Sequence, residues 1–159
     1  MKCFLEGPEA TARLADDLSR VLPGDTSGWT VLLEGDLGAG KSTFARALIR
    51  AMGHEGAVPN PTYTLVEPYD LPGGSVYHVD LYRVSDEEEL HFLGWNELED
   101  GFRLVEWPDR APELAAGADL RLDLSYSGTG REARFLGLSS KGIALLSQLE
   151  HSRYGQSED

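Results

Sequence analysis

The stretch that most restricts this chain is Trp29-Thr30-Val31-Leu32-Leu33-Glu34, followed at once by Gly35-Asp36-Leu37-Gly38-Ala39-Gly40-Lys41-Ser42. A nearly continuous apolar run of this length suits a strand covered on both faces, as in a parallel sheet. The segment after it matches G-x-x-x-x-G-K-[ST] in full. Glycines let the backbone bend so that successive N–H groups face inward toward anionic oxygens. The helical pattern from Lys41 to about Met52 adds the partial positive charge of a helix N-terminus. In such a loop Lys41 bridges the β and γ phosphates of a nucleotide, and the Ser42 hydroxyl is a hard oxygen ligand suited to Mg²⁺. Thr43 has two readings, an approach to the α phosphate or a helix-surface hydroxyl. A glycine-rich turn without ligand is the plain alternative. The strand before and the helix after argue against it.

The rest of the chain supplies a frame for this unit. The 159 residues suit one domain, 1–159, and 41% hydrophobic content suits a globular one. A domain of that size buries roughly 70% of its unfolded surface, so it needs no disulfide or metal staple. Lys2 to Leu5 has strand character, and Pro8 to Leu22 has apolar residues at helical spacing. Tyr63 to Tyr69 and Ser75 to Asp80 flank the turn Pro72-Gly73-Gly74 as a hairpin. Ser85 is a candidate N-cap with Glu88 three residues on. Gly101 to Glu106 is a strand stopped by Pro108. Leu120 to Tyr126 and Arg131 to Leu138 form a second hairpin, Lys141 to Leu149 a last helix, and 151–159 a polar, frayed tail. The order gives an α/β nucleotide-binding layout with added antiparallel strands.

A nucleotide with magnesium needs an acid at the end of a neighbouring strand, and a polar group to orient an attacking water. Asp80 closes Val76-Tyr77-His78-Val79, and Glu106 closes Arg103-Leu104-Val105. Each also fits a plain polar strand end. The acids Asp86 to Glu89 are better explained as a solvated helix start. His78 shares a strand face with Asp80 and suits packing or hydrogen bonding. For Trp107 the default is core filling.

Composition excludes other classes. The net charge is −13, from 27 acidic and 14 basic residues. Such a surface repels a phosphate backbone, so contact with nucleic acid falls to a partner. The single cysteine, Cys3, suits a reducing compartment and a buried strand position rather than a nucleophile. The start is too poor in apolar residues for a signal peptide, and no run approaches the ~20 residues of a membrane span. A cytoplasmic protein is expected.

The motifs also stand in a telling order. The glycine loop is followed by Asn60-Pro61-Thr62-Tyr63-Thr64-Leu65-Val66, then His78-Val79-Asp80-Leu81-Tyr82-Arg83, then Val105-Glu106-Trp107-Pro108. This combination resembles the bacterial TsaE (YjeE) ATPase family over nearly the whole chain. The resemblance implies a P-loop NTPase-like three-layer fold, a mixed sheet flanked by helices. It implies slow hydrolysis of ATP with Mg²⁺ in the pathway that makes threonylcarbamoyladenosine beside the tRNA anticodon, together with TsaD and TsaB. By position it puts Gly35 to Thr43 and Lys41 on the phosphates, and Ser42, Asp80 and Glu106 at the metal. It also puts Thr62 in a segment over the nucleotide, near the γ phosphate, and Thr11 near the nucleotide. Ser42 stands where the family often has threonine, and Asn60 where it often has serine. Arg83 is the nearest candidate arginine finger by sequence, with pairing to local acids as the alternative. A guanine signature, Asn/Thr-Lys-x-Asp, is absent, which favours ATP. Two other classes suit the same loop: a P-loop small-molecule kinase, and a nucleotide-sensing module without turnover.

Overall fold

A computed structural model describes residues 1–85, 87–92 and 94–154. One seven-stranded mixed sheet organises them, in the order β1-β7-β6-β2-β5-β4-β3. The strands are β1 (Lys2–Leu5), β2 (Thr30–Glu34), β3 (Val66–Leu71), β4 (Gly74–Asp80), β5 (Phe102–Glu106), β6 (Leu120–Ser127) and β7 (Gly130–Gly137). The middle four, β6, β2, β5 and β4, run parallel, and the outer strands join antiparallel. The apolar run of β2 thus lies at the centre, buried on both faces.

Side-chain alternation splits the core into two layers. Val31, Leu33, Phe102 and Leu104 face one side, packed with Leu14 and Leu18 of α1 (Pro8–Val21), Phe44 and Leu48 of α2 (Lys41–Ala51), and Leu145 and Leu149 of α4 (Ser140–Tyr154). Leu32, Val79 and Val105 face the other, under Leu98, Ala111 and Leu114. That second layer is thin, made of α3 (Glu87–Phe92) and three 3₁₀ segments over 95–117. Among the described residues no helix is long and apolar enough to cross a membrane.

Edges and ends depart from the expected boundaries. The strand expected over 63–69 begins only at Val66. Leu65 adopts a left-handed φ of 69° and its N–H donates to Pro61 O at 2.7 Å, so 61–65 closes as a turn. Pro68 sits in the outermost strand, β3, where its missing N–H costs no ladder bond and blunts edge pairing. Ser85 is bonded by Glu89, not Glu88: its Oγ donates to Oε1 at 2.6 Å and its N–H to Oε2 at 3.3 Å. Asp86 lies outside the described residues. The last helix continues to Tyr154, past the expected start of a frayed tail at 151. Arg153 Nη1 donates to Asp17 Oδ2 at 2.6 Å and ties that extension to α1. Residues 155–159 lie outside the described part.

Candidate functional site

The site lies at the C-terminal ends of the parallel strands, where open α/β sheets bind ligands. Asp80 and Glu106 are register partners across β4 and β5, and Glu106 is also opposite Leu33 of β2. Three neighbouring strand ends therefore deliver the glycine loop and both carboxylates to one place.

The loop takes its shape from glycines that no other residue could replace. Gly35 has φ 152°, and a Cβ there would lie 2.4 Å from Leu124 O. Gly38 has φ 82°, and a Cβ would lie 2.6 Å from the Tyr126 hydroxyl. Gly40, the residue before α2, has φ 109°, and a Cβ there would meet nothing within 4 Å. Its surroundings are open, and no side chain caps the first turn of α2. Exposed N–H groups at a helix start facing open space suit an anion.

Lys41 is buried, with its ammonium 3.4 Å from the centre of the Trp107 ring and donating to Gly35 O. Burial pushes its pKa below the ordinary lysine value, against the opposing pull of Glu106, Asp80, Asp109 and Asp36. Ser42 Oγ donates to Glu106 Oε1 at 3.0 Å. The other oxygen, Oε2, lies 2.6 Å from His78 Nε2, and His78 is itself buried. His78 thus has the hydrogen-bonding role read from sequence. Asp80 Oδ1 accepts the Tyr82 N–H at 2.9 Å. Its Oδ2 is 3.2 Å from Thr62 Oγ1, which also lies 2.8 Å from Asn60 Oδ1. The turn at 61–65 holds Thr62 there, aided by the Asp80 N–H donating to Leu65 O at 2.9 Å.

Lys41, Ser42, Thr43, Thr62, Asp80 and Glu106 line one cleft together with Gly38, Gly40 and Leu37. Asp36 and Ala39 shape the loop, the Ala39 N–H donating to Asp36 O at 3.0 Å. Thr11 is not in this cleft. It is buried on α1 and lines an adjoining one with Gly7, Thr43 and Arg131, which meets the loop at Gly38 and Gly40. Arg83 stacks on the Tyr63 ring at 4.5 Å and touches none of the buried site groups.

Two contributors run against or beyond the sequence reading. Trp107 does more than fill core. It holds a left-handed φ of 58° immediately before Pro108, and this backbone puts its indole against Lys41 and, at 5.1 Å, against Tyr82. Leu65 and Trp107 are the non-glycine residues with positive φ among those described, and both border the carboxylates. The second contributor is the β6–β7 hairpin. Arg131 Nη2 donates to Gly38 O at 3.2 Å and its guanidinium stacks on Tyr126, whose hydroxyl donates to Leu37 O. No local motif announces this, because the contact spans ninety-odd residues of sequence.

The arrangement offers inward N–H groups and a fixed cation for an anion, beside a hydroxyl and two buried carboxylates for a hard cation. A family model described as threonylcarbamoyl adenosine biosynthesis protein TsaE matches residues 5–134. The chain belongs to the TsaE family. Every site group above lies within the matched span, whereas α4 lies beyond it. The tRNA threonylcarbamoyladenosine biosynthesis protein TsaE of Haemophilus influenzae is 39% identical over 119 residues, 74% of this chain and 75% of its own length. The TsaE of Rickettsia felis is 39% identical over 152 residues, 94% of this chain and 86% of its own. The crystal structure of Bacillus subtilis YdiB superposes with a TM-score of 0.72 at 27% identity, covering 96% of this chain and 95% of that one. The TsaE fold expected from the sequence motifs, a mixed sheet flanked by helices, is the fold observed.

Proposed function

We propose that this chain binds Mg–ATP in the Lys41 cleft and slowly hydrolyses its γ phosphate, as an accessory subunit acting with TsaD and TsaB in threonylcarbamoyladenosine modification of tRNA. The observation that carries the nucleotide site is the meeting of an open, glycine-formed helix start with a buried lysine and two buried carboxylates. Family membership supports the pathway, since the named relatives are tRNA threonylcarbamoyladenosine biosynthesis proteins.

The donor set fits magnesium. Among the described residues no three of His, Cys, Asp and Glu gather as a metal cluster. A serine hydroxyl beside a carboxylate suits an ion that keeps several waters and binds phosphate oxygens. Ser42 spends its hydrogen on Glu106 and keeps its oxygen lone pairs for the ion. When bound, magnesium neutralises charge on the β and γ phosphates. Two buried carboxylates against one buried lysine leave a local negative charge that a divalent cation offsets.

The chain's own groups then have definite tasks. Lys41 exchanges Gly35 O for phosphate oxygens, and the loop N–H groups hold the remaining anionic charge. His78 fixes the rotamer of Glu106, and the Tyr82 N–H that of Asp80. Thr62 stands at the Asp80 side, where its hydroxyl can turn from Asn60 to a γ phosphate oxygen or the attacking water.

The test is calorimetry with Mg–ATP, followed by reconstitution of tRNA threonylcarbamoylation with and without this chain. Saturable heat, lost in Lys41→Ala, is expected. So is released inorganic phosphate, which separates hydrolysis from transfer to a small metabolite by a kinase. Well-folded protein giving no heat would refute the site. Multiple-turnover modification unaffected by omission would refute the pathway role.

A further inference from the structure

A further cavity, of about 300 Å³, lies at the opposite end of the sheet and on its other face. Thr30 opens β2 and Arg103 lies at the start of β5, whereas the glycine loop follows the far ends of these strands. Four residues of strand separate the two ends by roughly 13 Å. A volume near the lower limit of ligand pockets, roughly 300 Å³, admits a small metabolite.

The cavity is built around a buried charge. Arg103 is 9% exposed, stacks on the Trp95 ring at 4.5 Å, and donates from Nε to Thr30 Oγ1 at 3.0 Å. Its Nη1 is buried with no hydrogen-bond partner. Among the described residues Arg103 has no ion pair within 4.0 Å, although Glu99 and Asp119 act on it at longer range. Asp119 is already engaged: its carboxylate accepts from the Thr30 N–H at 2.9 Å and from Ser139 Oγ at 2.8 Å. A guanidinium kept from water without a paired anion is costly, and natural structures rarely leave one so. With Nε occupied and Nη1 sealed, the guanidinium reaches the cavity through Nη2, and a small turn of the group presents the Nη1–Nη2 fork, which matches a planar carboxylate in two parallel hydrogen bonds.

The remaining walls choose among anions. Glu99, Glu113 and His91 line the same cavity, with Asn96 offering both a donor and an acceptor. These acids, on a chain of net charge −13, oppose a multiply charged phosphate and favour a single negative charge accompanied by a positive one. We propose that this cavity binds a small zwitterion of the amino-acid class, its carboxylate on the Arg103 fork and its ammonium beside Glu99 and Glu113. The site is separate from the Lys41 cleft and does not depend on the nucleotide reading.

The test uses the full-length protein and three probes, glycine, acetate and methylammonium, followed by nuclear magnetic resonance at the Arg103 Nε–H and the Trp95 indole N–H. Glycine should shift both signals saturably with a Kd on the order of millimolar, as a ligand of so few atoms allows. Acetate and methylammonium should each bind at least several-fold more weakly, and Glu99→Gln should move glycine toward the acetate value. Arg103→Met should abolish the response at the Trp95 indole N–H, the signal read in all Arg103 variants, while Mg–ATP heats stay unchanged. Arg103→Lys, which keeps the charge and loses the fork, should weaken glycine about tenfold and covers the case in which the methionine variant fails to fold. No saturable shift with glycine, glycine binding as tightly to Arg103→Lys as to the parent chain, or glycine binding no tighter than acetate would each overturn the assignment.

Discussion

At the scale of single residues, the site depends on side chains that are missing as much as on those present. Gly38 lies under the Tyr126 hydroxyl, and its φ of 82° is itself unfavourable for any L side chain. Gly38→Ala should therefore lower stability by about 1–2 kcal/mol and weaken Mg–ATP binding. Tyr126→Phe in the same chain should recover part of the loss, because it removes the clashing oxygen and leaves the backbone strain. Chemical denaturation of the single and double variants checks this. Cys3 gives a simpler case. Burial pushes its thiol above the ordinary cysteine value, so less thiolate is present at any given pH. Alkylation by iodoacetamide near pH 8 should run slower than that of free cysteine, and an equal rate would contradict the seating of β1.

At the scale of elements, the helix α4 adds the part of the fold that the family match does not cover. It is fastened by Leu145 and Leu149 in the core and by the Arg153–Asp17 pair to α1. A double-mutant cycle over Arg153→Ala and Asp17→Ala should give a coupling of roughly 0.2–1 kcal/mol, the range of partly exposed ion pairs. Thermal unfolding of the four proteins measures it. The tail was misjudged in sequence because His151 to Tyr154 is polar, and polar residues look frayed when their partner lies more than 130 positions away. The start of β3 was misplaced for a related reason. Tyr63 to Leu65 has strand composition, but the turn that brings Thr62 to Asp80 overrides it, with Leu65 bent into a conformation that its side chain resists. The β2–loop–α2 unit was legible because its signals are contiguous: apolar run, glycines, lysine, amphipathic helix. Asp80 and Glu106 were legible as strand ends. Their register, the His78 bond to Glu106 and the Trp107 stack on Lys41 come from pairing between strands and backbone strain, which a linear pattern does not carry.

At the scale of the whole molecule, charge and topology dominate. A net charge of −13 on 159 residues makes the folded state repel itself. Raising sodium chloride from low salt to about 0.15 M shortens the screening length to ~8 Å and should raise the midpoint of thermal unfolding. A midpoint that falls or stays level would mean that pairs such as Arg121–Asp123 outweigh the repulsion. Topology acts on a different clock. The sheet closes by pairing Lys2–Leu5 with Arg131–Arg134, the beginning of the chain with nearly its end. On a translating ribosome the first strand emerges at once but its partner follows only after on the order of ten seconds, at ~5–20 residues per second. Throughout that interval Leu5 and an unpaired strand edge are open to chaperones and to neighbouring nascent chains. Of the seven strands, the earliest in the chain thus waits longest for its partner.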